Sequence, residues 1–367
     1  MRRLSEIICA VFTICVMAVA VSCEKRPLLE MSNTHYVRVY VNESIQNVTT
    51  GFYNEGYTRP EYKSPDVLRV FLADPQTGRV KAERFLRNND RDENGLYYDG
   101  YIIADPGEYT LLAYNFDTET TVIVNQDNHN EILASTNEIA AHLKTKIPSR
   151  SKAPSKDDAK GEPMESIVYD PDHLFAANCG YVRVPYVEYV DTLRTQDGDY
   201  FRAETVVKSY FLQVRVKGLQ YATSSVGLLN GLSGSVYLRT GDINLEHPAT
   251  VYFEMLPGES AAAGVSRAGA DDGEAIIYTT FGTFGKLPGM ENELEITFDF
   301  LTVYGQPHSE TINITDVFSK QEAIENQWLL LDHVISIPEP PPGTGSEGGG
   351  FKPSVDGWSD VNTDINL

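Results

Sequence analysis

Cysteine is scarce in this sequence, with four among 367 residues. Cys9, Cys15 and Cys23 lie in the first 23 residues, so Cys179 stands alone in the remainder. If the early cysteines are removed or modified during export, no pair is left for an internal disulfide. We therefore expect hydrophobic cores alone to hold the fold. Cys179 closes the apolar run Leu174–Cys179 and is predicted to be a small core residue rather than a nucleophile.

Positive charge is also in short supply. The chain has 30 Lys and Arg residues against 52 Asp and Glu residues, which gives a formal net charge of −22. Nucleic acid and anionic lipid both attract basic proteins, so we expect no nucleic-acid partner and no flat binding to anionic lipid. An acidic, solvated surface that resists self-association explains the charge. A calcium-rich surface is the alternative.

Motifs of catalysis and metal binding are missing as well. The seven histidines form neither the HExxH pattern nor a zinc-ligand spacing. The sequence contains no phosphate-binding glycine loop and no G-x-S-x-G elbow. Asp170, Asp172 and His173 lie close together, but Pro171 predicts a turn that leads into a strand at Leu174–Ala177. We therefore predict a protein that is not an enzyme and that needs no cofactor or metal.

One acidic segment resembles half of a calcium loop. The spacing of Asp90, Asp92 and Asn94, followed by Gly95, matches the start of an EF-hand. The twelfth position of that loop requires glutamate and is Tyr101 in this chain, and the flanks look like strands rather than helices. An acidic hairpin loop is the favoured interpretation, and a weak Ca²⁺ site is the alternative.

The longest apolar run stands at the N-terminus. Arg2 and Arg3 precede an apolar stretch from Ile7 to Val21, interrupted by Thr13. This run of about 15 residues is shorter than the roughly 20 that a membrane-spanning helix needs. Residues 1–22 are therefore predicted to be a bacterial signal peptide.

Cys23 follows the small residues Ala20-Val21-Ser22, a site that resembles the lipobox of bacterial lipoproteins. We predict cleavage before Cys23 and lipidation of its thiol, with acyl chains such as palmitate attaching the protein to outer-membrane lipid, at the cell surface. Several acyl chains give stable attachment, whereas one alone binds marginally. The alternative is a plain secretory signal cleaved near Ser22, with an unmodified cysteine. Residues 23–35 have little pattern and are predicted to form a tether.

Alternating apolar and polar residues predict strands through most of the chain. A first β-sandwich is expected at 36–190, and Asn88–Gly95 is expected to be a long polar turn. A short helix is expected at Asn137–Ile147. The predicted strands of this first unit are Tyr36–Val41, Asp66–Ala73, Arg79–Leu86, Leu96–Ile103, Tyr109–Asn115, Thr120–Asn125, Ser166–Tyr169 and Tyr181–Val190.

A second β-sandwich is expected at 200–338, after a boundary at Asp191–Asp199. It opens with a long predicted strand at Thr205–Val216. The fold class is therefore all-β, with two tandem antiparallel β-sandwich domains. The other predicted strands of the second unit are Ser233–Arg239, Ala249–Leu256, Ala275–Phe281, Glu293–Tyr304, Glu310–Ile314 and Trp328–Ile337.

Residues 339–367 combine a proline- and glycine-rich linker with a strand-like tail. Pro338–Pro342 is typical of a stiff polyproline II segment, and Gly343–Gly350 is typical of a flexible one. In the tail, Val361, Thr363, Ile365 and Leu367 alternate with polar residues. This strand could return to an edge of its own second domain. Alternatively, it could add to the open sheet edge of another chain.

Three segments resemble a known family. Gly107–Glu119 is similar to a "G-x-Y-x-x-x-x-Y-N-x-D-T-E" segment, and Leu229–Leu238 is similar to an "LxGLSGxVxL" segment, of Bacteroidetes fimbrillin-like lipoproteins. The tail resembles their terminal signature through Gly348–Phe351 and Val355–Trp358. The chain therefore resembles the fimbrillin-like and fimbrial anchor (minor fimbrial subunit) lipoproteins.

This resemblance implies two sandwiches of transthyretin-like, Greek-key topology in an outer-membrane lipoprotein. It also implies a fimbrial anchor or accessory subunit that assembles with other fimbrial subunits by β-strand addition. The alternative is a surface lipoprotein that binds a glycan or a host ligand through Tyr53, Tyr57 and Tyr62. Asp191-Thr192-Leu193 resembles an O-glycosylation acceptor of these bacteria.

Overall fold

The structure is a computed structural model that describes residues 33–42, 64–144, 147, 165–257, 274–288 and 294–341. Within these ranges most residues lie in strands and few lie in helices, so the all-β prediction is confirmed. No helix in the described ranges is long and apolar enough to cross a membrane. The predicted signal peptide, Cys23 and the tail from 342 onward lie outside the described residues.

The strands are numbered in chain order. Those before residue 206 are β1 (Thr34–Val41), β2 (Leu68–Ala73), β3 (Val80–Leu86), β4 (Asn88–Asp92), β5 (Gly95–Ile103), β6 (Gly107–Asn115), β7 (Thr121–Val124), β8 (Leu133–Thr136), β9 (Ser166–Tyr169), β10 (Phe175–Val184), β11 (Asp191–Thr192) and β12 (Phe201–Thr205). Those after it are β13 (Lys208–Lys217), β14 (Ala222–Ser233), β15 (Ser235–Tyr237), β16 (Pro248–Glu254), β17 (Leu256–Pro257), β18 (Glu274–Thr283), β19 (Glu295–Thr302), β20 (Pro307–Asn313) and β21 (Trp328–Ser336). The short helices are α1 (Ala141–Lys144), α2 (Thr315–Phe318) and α3 (Gln321–Asn326), with a 3₁₀ turn at Leu219–Tyr221.

A nine-stranded sheet forms the first unit, in the order β3-β2-β6-β10-β12-β1-β5-β4, with β11 also paired to β1. Its inward side chains meet in one core. Val37 and Val39 of β1 share this core with Leu68 and Val70 of β2, although the two strands are four positions apart in the sheet. The sheet therefore curves over its own apolar face, which is formed by alternate residues of its strands.

Two sheets form the second unit: β17-β18-β13-β21 and β20-β19-β14-β16-β9. A single apolar cluster contains Leu212 and Val214 from the first sheet and Leu229 and Phe298 from the second. This is the arrangement of a β-sandwich, in which each sheet contributes one apolar face. Most strand pairs are antiparallel, but β1–β11, β1–β12, β9–β16 and β13–β21 are parallel.

Strands from one half of the chain pair with strands from the other half. β9 comes from the N-terminal half of the chain yet pairs with β16, and β15 from the C-terminal half joins β7 and β8 in a three-stranded sheet. Side chains of this small sheet, such as Ala134 and Val236, share an apolar cluster with Phe71 and Leu112 on the outer face of the nine-stranded sheet. The division at residues 191–199 stays a prediction. β12, which follows these residues, pairs with β1 and β10 of the nine-stranded sheet.

The two segments that resemble the fimbrillin-like family connect neighbouring strands through hydrogen bonds and close packing. Asn115 ends β6, where its Oδ1 accepts the Phe175 N–H at 2.8 Å and its Nδ2 donates to the His173 carbonyl at 3.1 Å. Gly234 carries the chain from β14 to β15. A Cβ there would lie 2.9 Å from the His247 ring and 3.1 Å from Ala249 Cβ, so a larger residue would have to displace the His247 ring.

Four local predictions were wrong in their bounds. The expected turn at Asn88–Gly95 contains β4, because alternate polar residues there pair with β5 as an outer strand. The expected strand Thr205–Val216 is broken at 206–207, where the chain passes from the nine-stranded sheet to the second unit. Among the described residues of the helix expected at Asn137–Ile147, α1 alone is α-helical, and the expected strand at Tyr181–Val190 ends at Val184.

Candidate functional site

The predicted site residues fall outside the described part of the chain. Cys23 and the tail residues Val361, Thr363, Ile365 and Leu367 lie there, as do the candidate ligand-binding residues Tyr53, Tyr57 and Tyr62. Lipidation, strand exchange and ligand capture at these positions therefore stay predictions. The described residues offer three other features that bear on function: a sheet edge, a polar aromatic cluster and an exposed aromatic patch.

The sheet edge belongs to β21. This strand pairs in parallel with β13, from Phe211↔Trp328 to Lys217↔Ser336, and it stands last in its sheet. Among the residues that the structure describes, no strand pairs with its other side. We call this side the β21 edge. A row of backbone N–H and C=O groups without ladder partners is a template for another strand.

A side-chain contact connects β21 to β20 in the facing sheet. The His333 ring on β21 contacts the Glu310 carboxylate on β20, which is the last strand of the facing sheet. The apolar side chains Leu329, Leu331 and Ile335 of β21 point into the sandwich core. The core therefore fixes the strand in place while its edge stays open within the described ranges.

The polar aromatic cluster lies on the outer face of β1 and β5. Arg38 stacks on Tyr97, with its guanidinium carbon 3.7 Å from the ring centre. Its Nε and Nη2 donate to the Tyr36 hydroxyl at 3.0 and 2.9 Å, and its Nη1 lies 3.3 Å from Asp92 Oδ2. The Tyr36 hydroxyl donates to Asp99 Oδ2 at 2.5 Å. We call this set, with Tyr40 and Tyr200, the arginine cluster.

Electrostatics in the arginine cluster follow from partial burial and pairing. Burial and then the hydrogen bond to Asp99 raise the pKa of Tyr36 to about 12, although Arg38 opposes this. Burial alone would lower the pKa of Arg38, but hydrogen bonds to Tyr40 and Tyr36 outweigh it and raise the pKa. Tyr36 therefore keeps its proton and Arg38 keeps its charge through the physiological pH range.

An exposed aromatic patch adjoins the arginine cluster. It consists of Tyr101 (54% exposed), Ile103 (62%), Tyr186 (65%), Tyr189 (80%) and Val190 (37%). We call these five residues the tyrosine patch. Tyr101 connects it to the arginine cluster, because the Tyr101 and Tyr36 ring centres are 5.7 Å apart. Large exposed apolar side chains grouped in this way mark an interaction surface.

Sequence reasoning missed both aromatic features. It used the alternation at Tyr36–Val41 and Leu96–Ile103 to find inward faces and gave no role to the outward residues. Those outward positions carry tyrosine, arginine and aspartate in place of the lysine, glutamate and serine of an ordinary solvated face. That composition was the available signal.

The cluster Asp170, Asp172 and His173 is a structural turn. Asp172 Oδ2 accepts the N–H groups of Glu119, Thr120 and Thr121 at 2.7–2.9 Å, so it caps the start of β7. Burial raises the pKa of Asp170 to about 6 and lowers the pKa of His173 to about 4.

The acidic loop segment is used within the fold. Asp92 Oδ2 accepts hydrogen bonds from Tyr40 and Arg38, and its Oδ1 accepts the Asn94 N–H at 2.8 Å. Across the described residues, no group of three or more His, Cys, Asp or Glu side chains could hold a metal ion. β4 pairs with β5, so the segment is a hairpin whose turn is limited to Glu93 and Asn94.

Cys179 is half-buried and lies against the first core rather than within it. It sits where the register of β10 against β6 shifts, and its Sγ lies 3.2 Å from the Tyr181 carbonyl oxygen. The predicted core position is therefore only partly correct. Thr192, the predicted glycan acceptor, lies in β11 and is half-buried, and its neighbour Leu193 is buried.

These features define a β-sandwich protein whose described surface offers a strand edge and an aromatic interaction face. Residues 59–254 match the family described as "Domain of unknown function (DUF5119)", and the chain belongs to that family.

The chain is also similar to a curated fimbrial protein. A curated relative, "Putative fimbrium anchoring subunit Fim4B" of Bacteroides ovatus, is 25% identical over 278 residues, which cover 71% of this chain and 74% of the relative. The similarity to Bacteroidetes fimbrillin-like proteins, predicted from the sequence, is confirmed.

A solved structure shares the fold. A crystal structure described as a "putative adhesin" from Bacteroides ovatus aligns with a TM-score of 0.52 and 19% identity, over 87% of this chain and 98% of that chain. The fimbrial anchor protein Mfa2 from Porphyromonas gingivalis aligns with a TM-score of 0.43 and 13% identity, over 80% of this chain and 87% of that chain.

Proposed function

We propose that this chain is a lipid-anchored outer-membrane protein that serves as a fimbrial anchor or accessory subunit. In this proposal Cys23 carries the lipid, and assembly with other fimbrial subunits proceeds by β-strand addition. The curated relative named as a fimbrium anchoring subunit supports the fimbrial role. The predicted signal peptide and lipobox support the location.

The observation that carries the assembly step is the β21 edge. It is nine residues long, its apolar side chains are fixed in the core, and it lacks a second ladder partner among the described residues. An added strand gains main-chain hydrogen bonds along such an edge, and its alternate side chains supply specificity. The chain leaves β21 toward its own strand-like tail at Val361–Leu367, which has the length and period of a donor.

The assembly step is tested by changing one face of the tail at a time. Val361, Ile365 and Leu367 are replaced by serine in one variant, and the matched control replaces Asn362, Asp364 and Asn366 by serine. Pull-down from native outer membranes is then compared for the two variants and the unchanged protein. Loss of the fimbrial partner in the first variant alone is expected, because apolar alternate side chains fill the pockets of a strand-addition site.

A thermal unfolding measurement distinguishes a tail that is donated to another chain from a tail that pairs within its own domain. Circular dichroism melting of the first variant is expected to match that of the control. If the first variant instead unfolds at lower temperature, the tail completes its own sandwich in cis and the trans assembly proposal is wrong.

The anchor is tested with two cysteine variants. Cys23→Ala is expected to move the protein from the membrane fraction to the soluble fraction, because the thioether attachment needs the thiol. Cys179→Ala is the matched control and is expected to stay in the membrane fraction. A Cys23→Ala protein that stays with the membrane would contradict lipid anchoring.

A further inference from the structure

We infer that the tyrosine patch is a second membrane contact, which seats the first β-unit on the interfacial layer of a lipid surface beside the acylated N-terminus. This inference rests on the proposed lipidation of Cys23. It adds an orientation to the anchor: the protein is docked against the bilayer at the start of β1 rather than swinging freely on its tether.

The patch surrounds the point where the described chain begins. On one side of β1, Thr34 pairs with Ile103 and Tyr36 pairs with Tyr101. On the other side, the Asn33 N–H donates to the Val187 carbonyl at 3.0 Å, and His35 pairs with Asp191. Neighbouring strands lie about 4.8 Å apart, so the two halves of the patch are separated by roughly 10 Å across β1.

Alternation places Tyr101 and Ile103 on the outer face of β5. On the other side of β1, Asp191 pairs with the buried His35, and Thr192 pairs with the outward Tyr36. Tyr101 and Ile103 share that face with Tyr36. Tyr186, Tyr189 and Val190 are exposed in the segment that leads into β11, so both halves of the patch meet solvent beside the start of β1.

Covalent geometry keeps this surface near the membrane. Ten peptide steps separate Cys23 from Asn33, and a fully extended chain of that length reaches about 35 Å. A patch held within that radius of the bilayer has a high effective concentration at the lipid surface, so each weak apolar contact adds to the acyl anchor.

The chemistry of the patch matches an interfacial layer rather than a hydrocarbon core or a charged surface. Tyrosine places an apolar ring and a polar hydroxyl at the level of lipid headgroups. Three of the five patch residues are tyrosine. The exposed acidic residues Glu188 and Asp191 lie in the same segment as Tyr189, so zwitterionic lipid is favoured over anionic lipid.

The test measures the depth of a tryptophan placed in the patch. Lipidated full-length Tyr189→Trp protein is reconstituted into phosphatidylcholine vesicles with and without bromines on the upper acyl chain. About half or more of the added emission is expected to be quenched, because interfacial side chains lie roughly 5–10 Å into the headgroup and acyl boundary. Tyr186→Trp is a second probe of the same patch, and emission of the parent protein is subtracted.

Tyr237→Trp is the matched control. Tyr237 is an exposed tyrosine (37%) on β15, in a different sheet, and its tryptophan is expected to keep its emission in brominated vesicles. Replacing part of the phosphatidylcholine by phosphatidylglycerol is expected to reduce quenching of Trp emission at 189 and 186, because like charges repel there.

Flotation of the vesicles separates the two proposals. Protein that does not float with lipid overturns the lipid anchor, and the docking inference with it. Protein that floats while neither patch probe is quenched overturns the docking inference alone. Emission that responds to soluble polysaccharide and not to brominated lipid would assign the patch to ligand capture and also overturn the inference.

Discussion

Replacing Asp170 by asparagine is expected to change how the stability of this fold depends on pH. The carboxyl lies in the turn before β10, and one oxygen accepts the Gly282 N–H at 3.4 Å. Burial raises its pKa from 3.8 to about 6. A raised carboxyl pKa means that the folded state prefers the protonated form. Its contribution to stability is present below pH 3.8 and is lost as the pH rises through about 6.

His173 has the opposite effect. Burial lowers its pKa from 6.5 to about 4, so its contribution is present above pH 6.5 and is lost as the pH falls through about 4. Each shift is about 2 units or slightly more, which corresponds to about 3 kcal/mol of unfolding free energy. In the unchanged protein the two contributions oppose each other between about pH 4 and pH 6.

The two single variants are therefore expected to change the pH dependence of the unfolding free energy in opposite directions. Relative to the unchanged protein, Asp170→Asn should gain about 3 kcal/mol in unfolding free energy as the pH rises from about 4 to about 7. His173→Gln should gain a similar amount as the pH falls over the same window. Urea unfolding at half-unit pH steps measures both, and the comparison uses differences between variants because other carboxylates titrate in all of them.

An exposed carboxylate provides the control. Asp197→Asn removes one negative charge from a solvated turn and reports the effect of net charge alone. A constant offset between Asp170→Asn and the unchanged protein across this pH range would refute the reasoning, because it would show that Asp170 does not titrate within it.

Other predictions concern packing and capping. Gly227→Ala would place a Cβ 2.1 Å from the Phe253 ring and is expected to lower the melting temperature through overpacking of about 1–3 kcal/mol. Asp172→Ala leaves three N–H groups at β7 without their acceptor and should cost about 2 kcal/mol or more in urea unfolding. Cys179→Ser should cost less than about 1.5 kcal/mol, measured the same way, because the thiol is half-buried at a register shift. Arg38→Met should reduce protection of β1 amides in hydrogen exchange, since the cation–π contact with Tyr97 and the hydroxyl contacts are lost.

Much of the fold follows from local patterns. Alternation at Tyr36–Val41 placed Val37 and Val39 in a core, and the same pattern found β2, β3, β5 and β6 within two residues of their ends. β14 was missed because its sequence, from Ala222 to Ser233, mixes small and polar residues and alternates weakly. Its apolar side chains are buried by the facing sheet across the core, and a local pattern does not show which segments pack there.

The sequence by itself determined the all-β character and the resemblance to fimbrillin-like proteins. Each depends on residue types or short spacings, which act locally along the chain. The tertiary structure decided which sheet each strand joins, as with β9 and β12, and which outward residues gather into the arginine cluster and the tyrosine patch. Alternation fixes the face of a residue but not its cross-strand neighbour, because pairing depends on contacts between segments far apart in sequence. The β21 edge is likewise a property of strand order.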